Sequence, residues 1–148
     1  MSALTALADA MQVAAAAVTG IQASYQGKKR IADGALEDAV RSLTAETKGY
    51  FWFSLADRTI LAQTQVGTAT FKGELAVSLP KDTTSTVDTA YNLAEAVAVA
   101  LSVEATFVST GCRPSRITFR SAAPEDDRLE DGVLIFEFEM VYTLPPVC

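Results

Sequence analysis

Two carboxylates on one strand face are the first residues in this chain that could do chemistry. In "LIFEFEMVYTL" Glu137 and Glu139 are two residues apart, which in an extended strand separates them by about 7 Å on one side. That distance suits a glycosidase acid and base pair, but nothing nearby resembles a sugar-binding aromatic platform. A plainer role follows from the neighbouring segment, where Arg116, Thr118 and Arg120 occupy alternate positions. If their face matches that of the glutamates, cross-strand ion pairs result. Ile135 and Val141 flank the two glutamates and give that face a mixed character.

Other chemistry has little to build on. The chain contains no histidine, so the commonest general base and metal ligand is missing, together with any Ser-His or Cys-His nucleophile. Glu125, Asp126, Asp127, Glu130 and Asp131 do not follow the ligand spacing of an EF-hand and read as a solvated acidic hairpin tip. The glycines of "VGTATFKGE" lack the spacing and the Lys-Ser/Thr ending of a phosphate loop. "GYFWFS" runs its aromatics consecutively with no basic residue before Arg58, the pattern of buried core rather than of a base-stacking platform. Cys112 and Cys148 are far apart and read as free thiols, with no disulfide framework or zinc site. No metal and no cofactor are expected, and the chain reads as a non-enzyme.

Composition sets the frame for these side chains. At 148 residues, 49% of them apolar, the chain has the length of one domain with a real core. With 18 acidic against 12 basic residues, a general grip on phosphate backbones is not expected. "ALTALADAMQVAAAAV" has no basic residue before it and is interrupted by Asp9, so it reads as neither a signal peptide nor a membrane span. The protein is expected in the cytoplasm when made.

The elements that must position the candidate residues follow from periodicity. Leu4, Leu7, Met11, Ala14, Val18, Ile21 and Tyr25 recur at helical spacing, predicting an opening helix that ends near Gly27. Residues 31–49 allow a short helix between Gly34 and Gly49. "YFWFSL" reads as a strand buried on both sides, followed by a polar turn at "ADR". Residues 59–79 read as one or two strands. Phe71, Leu75, Val77 and Leu79 lie on one face, with Thr70, Lys72, Glu74 and Ser78 on the other; Gly67 and Gly73 mark a turn, a bulge or a close approach. Pro80 stops that strand. Ser85 and Asp88 resemble a capping box for a second helix with Ala90, Leu93, Ala94, Val97, Ala100 and Leu101 as its apolar stripe.

A strand through Ile117 and Phe119, an acidic turn, and a strand over residues 133–144 then form an antiparallel hairpin. On the last strand Leu134, Phe136, Phe138, Met140 and Tyr142 face one way, and the "PPVC" that follows cannot continue a central strand. The fold class expected is α+β, a mainly antiparallel β-sheet with two longer α-helices packed on one face, in a single domain over residues 1–148.

This layout resembles the tail terminator proteins of long-tailed bacteriophages. The likeness is carried by the opening helix "LTALADAMQVAAAAVTGI", the aromatic strand "YFWFS", the strand "FKGELAVSLP", the helix "DTAYNLAEAVAVAL" and the closing "LIFEFEMVYTLP". It spans almost the whole chain as an order of elements. What the resemblance implies is a structural virion protein without catalysis, assembled in the host cytoplasm and placed at the head-proximal end of the tail. Its partners would be further copies of itself in a ring, hexameric in that family, the tail tube protein on one rim, and the head-tail connector or stopper protein on the other. Genomic DNA would pass through the channel without specific binding, and no membrane would be involved. Arg116, Arg120, Ile135, Glu137, Glu139 and Val141 would then belong to a subunit or tube interface. Two other readings stand beside it: another neck or tail-completion protein of similar layout, and an unrelated cytoplasmic α+β enzyme or ligand-binding domain. Residues 27–34 and 124–131, charged and poor in apolar anchors, are the candidates for ordering on assembly.

Overall fold

Leu7, Met11 and Ala15 lie four apart and are fully buried, the inward stripe of helix α1 (Ala3–Ala16). The structure, a computed structural model, describes residues 3–26, 49–60, 67–78, 85–121 and 133–145. Within these the order is α1, β1 (Ile21–Gln26), β2 (Gly49–Ile60), β3 (Gly67–Ser78), α2 (Ser85–Ser102), a 3-10 helix (Glu104–Thr110), β4 (Arg113–Ser121) and β5 (Val133–Leu144). The fold is α+β: the five strands form one sheet in the order β1-β2-β3-β5-β4. Every pairing is antiparallel except that of β1 with β2.

The opening helix is shorter than its stripe suggests. It stops at Ala16, and Ile21 and Tyr25 belong to β1 rather than to the helix. Gly20 takes φ 102°, a left-handed conformation that glycine adopts without steric cost, and turns the chain from helix to strand. A Cβ there would also lie 3.1 Å from the Leu93 side chain. Residues four apart share a face in a helix and in a regular strand alike, but an irregularity between Ile21 and Ala23 puts Ile21 against the main core and Tyr25 against the cluster on the back of the sheet.

Strand β2 corrects a second expectation. "ADR" is not a turn; Ala56, Asp57 and Arg58 lie inside a twelve-residue strand. The β2–β3 register shifts between Leu55 and Asp57, so one extra residue is absorbed as a bulge and pairing continues to Ile60 opposite Gly67. The residues are polar because this half of β2 is exposed, whereas Phe51, Trp52 and Phe53 are buried as the aromatic run implies.

The front of the sheet carries the main core. Phe51 and Phe53 of β2, Phe71, Leu75 and Val77 of β3, and Phe136, Phe138, Met140 and Tyr142 of β5 meet the stripes of α1 and α2 there. In α2 the expected Ala90, Leu93, Ala94, Val97 and Leu101 are buried, while Ala100, expected with them, is half-buried. The aromatic rings pack edge to face, with Phe51 and Phe138 centroids 5.2 Å apart, an arrangement favoured by the ring quadrupoles. The 3-10 helix, which no periodicity announced, sends Phe107 into the same core against Tyr142, 5.1 Å between centroids. Its end is set by Gly111 at φ 76°.

Polar contacts tie α1 to the edge strand β1. Ser24 Oγ donates to the Gln12 carbonyl at 2.7 Å, and Gln12 Nε2 donates back to the Ser24 carbonyl at 3.0 Å. Gln26 Nε2 reaches both Asp9 Oδ1 and Gln12 Oε1. The expected short helix in residues 31–49 falls, apart from Gly49 at the start of β2, outside the described residues. So do Leu79, Pro80, the side chains of Ser85 and Asp88, Leu134's side chain, the acidic segment 125–131, and Cys148. Cys112 is a free, buried thiol.

Candidate interaction face

The back of the sheet is where the candidate residues gather, and cross-strand register lays them out in rows. One row runs from Tyr25 through Trp52, Glu74 and Glu137 to Arg120, each residue paired with the next. The adjacent row is Ser54, Lys72, Glu139 and Thr118. Beyond it lie Asp57, Thr70, Val141 and Arg116. The side chains alternate strictly along β5, so its front residues build the core while Glu137 and Glu139 point back.

The predicted faces match. Arg120 Nε donates to Glu137 Oε1 at 3.1 Å, directly across the β4–β5 pair. Arg116 Nη2 donates to Glu139 Oε1 at 2.8 Å on the diagonal, because the register places Arg116 opposite Val141. A further pair, Arg113 with Glu104 at 2.7 Å, joins the start of β4 to the 3-10 helix and had no counterpart in the sequence reading. Nothing in the spacing of Glu104 and Arg113 signals it, because the turn that brings them together depends on Gly111.

Ile135 and Val141 differ in setting. Ile135 is 5% exposed and packs with Trp52 and Ala76 in a small second cluster, against which Tyr25 and Tyr50 lie. Its apolar surface is thus already covered within the chain, whereas Val141 is half-buried between Thr70 and Arg116 in the outer row. The back face therefore grades from an aromatic corner near the start of β2 to an ion-paired centre.

Between corner and edge the sheet forms an open concavity of about 490 Å³, bordered by Trp52, Lys72, Glu74, Arg120, Glu137 and Glu139. Gly73 lies at its floor, and a Cβ there would fall onto the Trp52 carbonyl; the close approach expected of this glycine is real. Both β5 carboxylates bordering the concavity are held by guanidinium groups, which gives them a structural occupation on the surface. Like charges also meet here, since Glu74 and Glu137 are directly opposed; Arg120 on the far side of Glu137 offsets that repulsion.

Two buried hydroxyl and thiol groups sit apart from this face. The Tyr142 hydroxyl is pushed well above its ordinary range, first by burial and then by the nearby Cys112 thiol. The Cys112 thiol is itself raised by burial, an effect reduced by its hydrogen bond with Thr110 and by the Arg58 charge. Both are thus held in their neutral forms, and they belong to the core under the 3-10 helix.

Fold and face together define an α+β protein whose sheet is helix-covered on the front and carries a mixed, ion-paired surface on the back. The sequence matches no protein-family model and no curated protein. Among the described residues no single helix is long and apolar enough to cross a membrane.

Proposed function

We propose that this protein is a ring-forming assembly subunit of the tail terminator kind, closing the head-proximal end of a phage tail and joining it to the head connector. The observation that carries the reading is the two-faced sheet. Its front is filled by α1, α2 and the 3-10 helix, while its back presents half-exposed ion pairs beside an apolar corner, a mixed polar and apolar surface of the kind that protein–protein contacts use. A ring with closed rotational symmetry uses two different surfaces of each subunit, and this chain offers distinct ones in the back of the sheet and the helical front. Its acidic balance, net charge −6, suits a channel that lets DNA pass without holding its phosphates.

Location is the deciding measurement. Labelled protein should be found at the head-proximal tail end, and native mass spectrometry should show a closed ring. Normal tails formed without the protein, or label elsewhere in the particle, would overturn the proposal. The pairing of Glu137 and Glu139 with arginines favours this assembly reading over a carboxylate-based enzyme, since it gives both carboxylates a structural role on the surface.

A further inference from the structure

This inference rests on the ring reading above and names the contact within it. Lys72 borders the back concavity, exposed and directly across from Glu139. The carboxylates around it are already engaged: Glu139 by Arg116, Glu137 by Arg120, and Glu74 also has a partner. Lys72 itself has no hydrogen-bond or ion-pair partner among the described residues. Apolar surface lies on both sides of it. Trp52, with Tyr25 and Tyr50 packed against it, is one row toward the corner, and half-buried Val141 is one row the other way.

The outward face of α2 carries the opposite arrangement. Tyr91, Glu95 and Val99 recur every fourth residue and so neighbour one another along the helix surface. Tyr91 and Val99 are 43% and 55% exposed, and Glu95 is exposed between them. Glu95 is the one charged residue from Thr89 to Ser102 and has no partner among the described residues. Asp9 and Glu104, also exposed, are already engaged by Gln26 and Arg113. A lone carboxylate between apolar side chains on a convex helix thus matches a lone ammonium between apolar patches on a concave sheet. Helix α2 packs on the front of the sheet and Lys72 points to the back, so one chain cannot join the two; a second copy can.

We propose that the outward face of α2 of each subunit seats in the back concavity of the next copy in the ring, with Glu95 meeting Lys72. The two surfaces differ, as a head-to-tail contact requires. The ion pair fixes the register of the contact, and the apolar side chains around it keep water from the pair.

Charge reversal tests this with three chains: Lys72→Glu, Glu95→Lys, and both together. Native mass spectrometry and light scattering at low salt read assembly, and circular dichroism verifies the fold. Each single reversal sets like charges together at every contact and should need about tenfold or more protein to assemble than the unaltered chain. The double reversal restores an opposite pair at every contact and should assemble within about threefold of the unaltered chain. Rescue of this kind requires two copies, because the residues lie on opposite sides of the sheet. Should Lys72→Glu disturb folding by facing Glu139, Lys72→Gln replaces it. Its assembly should weaken by about two- to fivefold, and adding Glu95→Gln should cost little more, since the pair is already lost. Single reversals that assemble as well as the unaltered chain, a double reversal no better than the singles, or glutamine losses that simply add, overturn the contact and leave the ring standing. An unaltered chain that stays monomeric at low salt overturns both.

Discussion

The Tyr142 hydroxyl donates a 2.6 Å hydrogen bond to the Leu101 carbonyl, joining the end of β5 to the last turn of α2. The phenol is buried and kept protonated, so its titration is linked to folding. In the unfolded chain it ionises near pH 10; in the folded protein it does so at higher pH. The stability this contributes is complete below about pH 10 and is lost as pH rises above it, since the unfolded state then releases a proton that the folded state retains. Cys112 acts in the same direction from its own ordinary value of 9.0. Tyr142→Phe should cost about 0.5–1.5 kcal/mol near neutrality and flatten the alkaline fall, measured by urea denaturation from pH 7 to 11.

The 3-10 helix is a structural part of the core rather than a connection. Phe107 is fully buried and meets the Tyr142 ring, so Phe107→Ala should destabilise the fold by about 3–5 kcal/mol. A loss below about 1 kcal/mol in chemical denaturation would mean that Phe107 is not packed in this way.

Gly73 permits a close approach of β3 to β2. Gly73→Ala directs a methyl group at the Trp52 carbonyl, and the strands must separate, at about 1–3 kcal/mol or more. Trp52 is the chain's single tryptophan, so its fluorescence spectrum should shift in the variant; an unchanged spectrum and unchanged stability would contradict the packing.

The ion pairs of the back face should matter more to assembly than to folding. Glu137→Lys with Glu139→Lys removes two exposed pairs and sets lysines beside Arg116 and Arg120, at about 0.5–2 kcal/mol of subunit stability in all. On the ring reading, assembly should fail while the thermal transition moves only a few degrees. Loss of the subunit fold would assign these residues to the monomer instead.

How much of this was legible in the sequence depended on whether the pattern had one structural meaning. Residues 133–144 alternate so strictly that the strand and its faces could be read from spacing, whereas the pairing of Glu137 with Arg120 was conditional on a register that the structure supplies. The stripe of α2 was equally clear, because Ala90, Leu93, Ala94, Val97 and Leu101 fit only a helix. Ile21 and Tyr25 fit both a helix and a strand, and the turn at Gly20 that decides between them follows from backbone conformation. The bulge at Ala56 was hidden because a polar stretch looks alike in a turn and in a strand exposed on both faces. Ile135 was legible as a back-face residue, but its covering by Trp52 depends on three strands coming together. The parallel pairing of β1 with β2 left no local mark, since it depends on which edge the strand joins.

The strand order carries a consequence for how the chain folds. β5 comes last of the five strands in sequence yet lies between β3 and β4. As the chain emerges in order, β2 and β3 can pair as soon as both are present, whereas β4 has no neighbour until β5 inserts and satisfies both flanking edges. The charged edge strand must therefore wait in solution for the residues that will anchor it, and the arginines of β4 serve the unfinished protein as well, keeping an unpaired strand soluble until its place in the sheet exists.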